Sequence, residues 1–127
     1  MLLIYADEAA RPAGDEAMAG MLAEHERLIE DMIRGGAYVG AHALQPVLAA
    51  TSVRRNGKTV VPSDGPFAET KEQLAGAYIV DCADLDQAIA YAARIPDAAW
   101  GTVEVRPIWE ITPAVEAAAR RRVEVAS

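Results

Sequence analysis

Residues 77–96 read AYIVDCADLDQAIAYAARIP, and their hydrophobic period changes midway. Ala77, Tyr78, Ile79 and Val80 form an unbroken apolar run, the pattern of a strand covered on both faces. From Leu85 the apolar positions Leu85, Ala88, Ile89, Ala92 and Ile95 fall three or four apart, which is helical spacing. Asp84 suits the helix cap, and Gln87 three residues on can return a bond to the cap's own N–H. Pro96 ends the helix. A strand therefore runs almost directly into a helix.

The N-terminus repeats this unit. Leu2–Ala6 reads as a short buried strand, and residues 7–14, with Arg11-Pro12 and Gly14, read as a loop. From Asp15 the positions Met18, Met21, Leu22, Leu28, Ile29, Met32 and Ile33 recur at helical spacing. Asp15 and Glu16 favour the start through the helix dipole, and Gly35-Gly36 is a stop signal. Ala37–Ala41 is a second strand. Next, Asn56-Gly57 lies between Thr51–Arg55 and Lys58–Val61. Asn-Gly predicts a hairpin with a type I′ turn, pairing Val53 with Val60. Thr102–Trp109 alternates, with Val103 and Val105 on one side and Glu104 and Arg106 on the other. A final alanine-rich helix is expected after Pro113, ending at Arg120-Arg121-Arg122.

The order is βαββαβ once the hairpin is set aside. This is an α+β, ferredoxin-like plan with an inserted β-hairpin. Right-handed crossovers place both helices on one face of the sheet. Strands 2–6 and 77–82 are apolar on both sides, so the second face also needs a cover. A second copy of the chain is the simplest one, and a homodimer with sheets face to face is expected.

Size and charge narrow the function. The chain has 127 residues, enough for one domain with a core. Its formal net charge of −7 argues against direct binding to nucleic acid or anionic membrane. The single cysteine, Cys82, excludes an intrachain disulfide and fits a reducing compartment. Without a basic, apolar leader pattern or a membrane-length apolar run, a cytoplasmic location is expected.

The segment Ser63-Asp64-Gly65-Pro66-Phe67-Ala68-Glu69-Thr70-Lys71-Glu72-Gln73-Leu74 resembles the DGPFAETKE signature of the YCII-related family, in its DGPF-type branch. Gly101–Ile108 is similar to that family's GxVEVRP strand, and Leu44-Gln45-Pro46 and residues 76–96 also match. The resemblance spans residues 1–111 and leaves 112–127 as a C-terminal helical extension. It implies a dimeric α+β barrel. It also implies a small-ligand-binding or regulatory module linked to transcription, with an extracytoplasmic-function sigma factor as partner. The alternative is a cofactor-free isomerase- or lyase-like enzyme acting on a small carboxylated substrate. In simpler members a His on the first helix pairs with an Asp that precedes a Pro. His25 sits at the matching distance from Gly36, but Ile95 precedes Pro96, so the pair reads as broken there; Asp97 is nearby, its direction left open by the sequence.

His25 and Asp64 are the catalytic candidates. His25 shares the apolar stripe of its helix and reads either as a proton shuttle or as a hydrogen-bonded core residue. Asp64-Gly65-Pro66 reads as turn chemistry or as a carboxylate at a pocket mouth with Phe67 as wall. Phe67, Glu69, Lys71 and Arg106 are the ligand-binding candidates. Lys71 would orient an anion or pair with Glu69 or Glu72. Arg106 would hold a carboxylate or pair with Asp64 or Glu69. His42 reads as exposed. No metal-ligand spacing, phosphate loop or nucleophile elbow is present, so neither metal nor cofactor is expected.

Overall fold

Leu2, Ile4 and Ala6 are buried while Leu3 and Tyr5 between them are half-buried. That alternation follows from the two-residue period of a strand and gives the sheet two unlike faces. The computed structural model describes residues 1–127. β1 (Leu2–Ala6) leads to α1 (Asp15–Arg34) and β2 (Tyr38–Ala43). The hairpin of β3 (Thr51–Asn56) and β4 (Thr59–Asp64) follows. Then come β5 (Gln73–Val80), α2 (Leu85–Ala93), β6 (Gly101–Val105) and α3 (Thr112–Ala126).

The main sheet is antiparallel throughout, in the order β2-β5-β1-β6. With the separate β3-β4 hairpin removed, this is the ferredoxin-like βαββαβ arrangement expected from the periodicities. Leu2 and Ile4 of β1 and Tyr78 of β5 face the helices, where they meet Leu28 and Met32 of α1 and Ala88 and Ala92 of α2. The small alanines let α2 lie close to the strands. Ile95, just past α2, completes this core.

Local details depart from the sequence expectations. Asp84 caps α2, accepting from the Gln87 N–H at 2.8 Å. The Gln87 side chain returns its bond to the Ala83 N–H, one residue earlier than expected. In the hairpin Asn56 pairs with Thr59, so Gly57-Lys58 makes the turn and Val53 faces Pro62, not Val60. Gly57 is at φ +60° and no residue other than glycine has positive φ. Positive φ at the first turn position alone suits type II′, whereas type I′ would also require it of the second. The displacement is two places, so side chains keep their faces. β6 leaves the sheet at Val105 rather than Trp109, and α3 runs past the arginines to Ala126. Nearly all of α3 is exposed.

Gly76 fixes how closely β2 approaches β5. A Cβ there would stand 2.6 Å from the His42 carbonyl oxygen and 3.4 Å from Ala43 Cα. Both obstacles are backbone, so only a shift of β2 could relieve them. Gly76→Ala is expected to lower unfolding free energy by about 1–3 kcal/mol, as other overpacked sites do. Denaturant titration of the purified variant measures this, and an unchanged midpoint would show that the strands part freely.

Candidate functional site

His25 lies on the buried face of α1, one turn before Leu28 and two before Met32. That register aims its ring at the helix-facing side of β5, where Tyr78 stands. The His25 Nδ1 and Tyr78 hydroxyl are 2.5 Å apart, and the two rings stack with centroids 5.9 Å apart and planes 12° apart. On the other side, Nε2 lies 3.2 Å from Asp97 Oδ1. Asp97 sits in a single 3₁₀ turn, Pro96–Ala99, which Pro96 opens and the buried Ile95 anchors.

The sequence left the direction of Asp97 open, and in the fold it turns toward His25. The carboxylate two positions from where the family pattern puts it supplies the partner that Ile95 cannot. Asp97 is only 7% exposed, and a buried carboxylate requires a donor. Its one side-chain hydrogen bond is to His25. The sequence signal was an acidic residue directly after Pro in a short turn.

The chemistry assigns the protons. Burial foremost, aided by the neighbouring Tyr38 and Asp97, pushes the Tyr78 hydroxyl from an ordinary 10.0 up to about 12. It therefore stays protonated and donates to Nδ1. Neutral His25 then carries its proton on Nε2 and donates to Asp97. The three residues form a line of donors and acceptors, Tyr78 to His25 to Asp97.

The line opens on a cavity of about 320 Å³ walled by Ile4, Met18, Met21, Leu22 and Leu44, with His42 and Arg11 also at its edge. The His25 side chain, 22% exposed, is the more accessible member of the His25–Asp97 pair. His42 is exposed, as read from the sequence.

The other candidates lie elsewhere. Asp64 ends β4, exposed and without a side-chain hydrogen bond, while Gly65 takes φ +90° as the turn reading expects. Asp64, Glu69 and Lys71 border one shallow surface depression. Lys71 has no carboxylate within ion-pair distance, so the expected link to Glu69 or Glu72 is absent. Glu72 accepts instead from the Thr102 hydroxyl at 2.9 Å. Phe67 is 82% exposed and lines a separate groove of about 570 Å³ with Tyr5, Leu44 and Leu74. Arg106, one residue past the end of β6, pairs with Glu104 of that strand, not with Asp64 or Glu69. Glu104 lies opposite Leu3, on the face away from the helices. None of Asp64, Phe67, Glu69, Lys71 or Arg106 lines the His25 cavity.

The model of the YCII-related domain matches residues 1–112. The chain belongs to the YCII-related family. An uncharacterized protein of Rhizobium meliloti (strain 1021) is similar to it, 35% identical over 116 residues that cover 84% of this chain and 89% of the relative. No helix of this family member is long and apolar enough to cross a membrane.

The Tyr78 environment has a measurable pH signature. Its folded value lies above its unfolded one, so it adds stability that is whole below about pH 10 and is lost as pH rises to about 12. Denaturant titrations of wild type and Tyr78→Phe should show the wild-type advantage shrinking by about 2 kcal/mol across that window. A constant gap would mean the hydroxyl ionises as freely as in the unfolded chain.

Proposed function

We propose that the protein is a cofactor-free acid–base enzyme that moves a proton on a small molecule held in the His25 cavity. The observation that carries the reading is the Tyr78–His25–Asp97 line beside an apolar cavity of small-molecule size. Asp97 fixes the His25 tautomer and balances positive charge when the ring is protonated. Tyr78, bonded to Nδ1, passes a proton between ring and ligand without having to persist as phenolate. An isomerase- or lyase-like step on a carbon acid suits this set. Asp64, once a catalytic candidate, belongs to another part of the surface in this reading. The regulatory alternative, with a sigma factor as partner, rests on the family resemblance alone.

Deuterium uptake from heavy water into a panel of small keto acids and unsaturated acids, followed by proton NMR, tests the proposal. Wild type should catalyse exchange on at least one compound. His25→Ala should slow it by about 10²-fold or more, as loss of a general acid–base group does, and Asp97→Asn by less. Equal exchange by wild type and His25→Ala on every compound would refute the shuttle.

The same proposal includes pairing of two copies across the open face of the sheet. Leu3, Tyr5, Ala77 and Ile79 line that face, opposite the helices, and the exposed Phe67 shares a groove with Tyr5. Apolar side chains left partly uncovered on a sheet face, even with Glu104 among them, suit an interface. Light scattering at micromolar concentration should give twice the chain mass for wild type and the single mass for Ile79→Glu. A wild-type monomer would remove the pairing.

A further inference from the structure

We infer that Arg11 is the anion-holding residue of the His25 cavity, and that its ligand is a small carboxylate with an apolar body. The inference depends on the proton-shuttle reading for what happens to the ligand, but not for its binding.

Arg11 lies in the loop between β1 and α1, read from the sequence only as a turn. The loop is pinned at two points. Asp7 Oδ1 accepts from the Ala9 N–H at 2.9 Å, and Glu8 Oε1 accepts from the Val47 N–H at 2.8 Å. The guanidinium carbon sits 5.8 Å from the centre of the Trp100 ring, where a planar cation is held by the ring face. The cation is thus positioned by the fold from two sides.

It is positioned without a partner. The ion pairs of the chain all join different residues: His25 with Asp97, Arg34 with Glu30 and Asp31, Arg94 with Asp31, and Arg106 with Glu104. None of the side-chain hydrogen bonds uses an Arg11 donor. Its Nε is the one buried side-chain polar atom with no hydrogen-bond partner. A guanidinium cannot shed its proton to escape this. Buried donors left unpaired are uncommon and point to a missing partner.

The cavity says what the partner is. Arg11 lines it together with His25 and Asp97. The fork of guanidinium N–H groups matches the two oxygens of a carboxylate. Ile4, Met18, Met21 and Leu22 supply an apolar wall for the rest of the molecule. The volume of about 320 Å³ suits a compact ligand. Elsewhere the chain is strongly acidic, with a net charge of −7, so an unpaired cation in a cavity stands out as a local reversal of field.

Benzoate, its neutral analogue benzamide, and inorganic phosphate serve as probes, each titrated into the isotope-labelled full chain. Proton–nitrogen correlation spectra follow the Arg11 Nε–H and Trp100 indole N–H. Benzoate should shift both signals saturably. Its dissociation constant should rise about tenfold or more in Arg11→Gln and less in Arg11→Lys, which keeps charge but loses the fork. Thermal midpoints close to wild type establish that both variants fold. Benzamide binding as tightly as benzoate, phosphate binding in its place, equal benzoate affinity in Arg11→Gln, or no benzoate shift at tens of millimolar would each overturn the assignment. His25→Ala separates the two proposals. Retained, Arg11-dependent benzoate binding in His25→Ala alongside deuterium exchange as fast as wild type would leave the carboxylate site standing and remove the shuttle.

Discussion

The buried carboxylate of Asp97 is the constraint around which this fold is arranged. It has one hydrogen-bond partner, the imidazole of His25, and taking a carboxylate out of water without a donor is costly. The imidazole is bonded on its other side to Tyr78. One ring thus ties together three elements distant in sequence: α1, β5 and the turn after α2. Rotating α1 would break both bonds and also withdraw Leu28 and Met32 from the core. The polar line and the apolar packing therefore demand the same helix register. Such agreement between levels is what gives a sequence one structure.

The sheet divides the molecule's chemistry between its two faces. The helix-facing side carries His25, Tyr78 and Asp97 over a cavity. The groove on the other side carries Tyr5, Leu74 and the exposed Phe67. Strand alternation alone causes this division, because neighbouring residues of one strand must point to opposite faces. The residues of the Asp64–Glu72 motif run from the end of β4 through the segment before β5, away from the His25 cavity. Pairing of two copies across the open face would bring that motif beside an interface and leave the cavity on the outer side.

The order of elements was readable because each strand and helix obeys its own period. Leu85–Ile95 and Met18–Ile33 could hardly be strands, and Ala77–Val80 is too short and too evenly apolar for an amphipathic helix. What escaped was spatial. Asn56-Gly57 is a strong turn signal, yet the strands closed around Gly57-Lys58, because the same glycine serves a different turn type in a different position. The direction of Asp97 was left open because a motif fixes its acid before the proline, while the fold needs only an oxygen at the right point. A short turn after Pro96 delivers that oxygen from the far side. Arg11 offered no pattern at all. Its significance comes from being without a partner in three dimensions, and an absent contact leaves no trace in a sequence.

Arg11 and Asp97 also give the cavity its electrostatic logic. The carboxylate of Asp97 has its partner in His25, whereas the guanidinium of Arg11 has none. A carboxylate seated on Arg11 would supply that missing partner within the same cavity. A ligand of the proposed class would thereby pair the cavity's free cation and leave the His25–Asp97 contact intact.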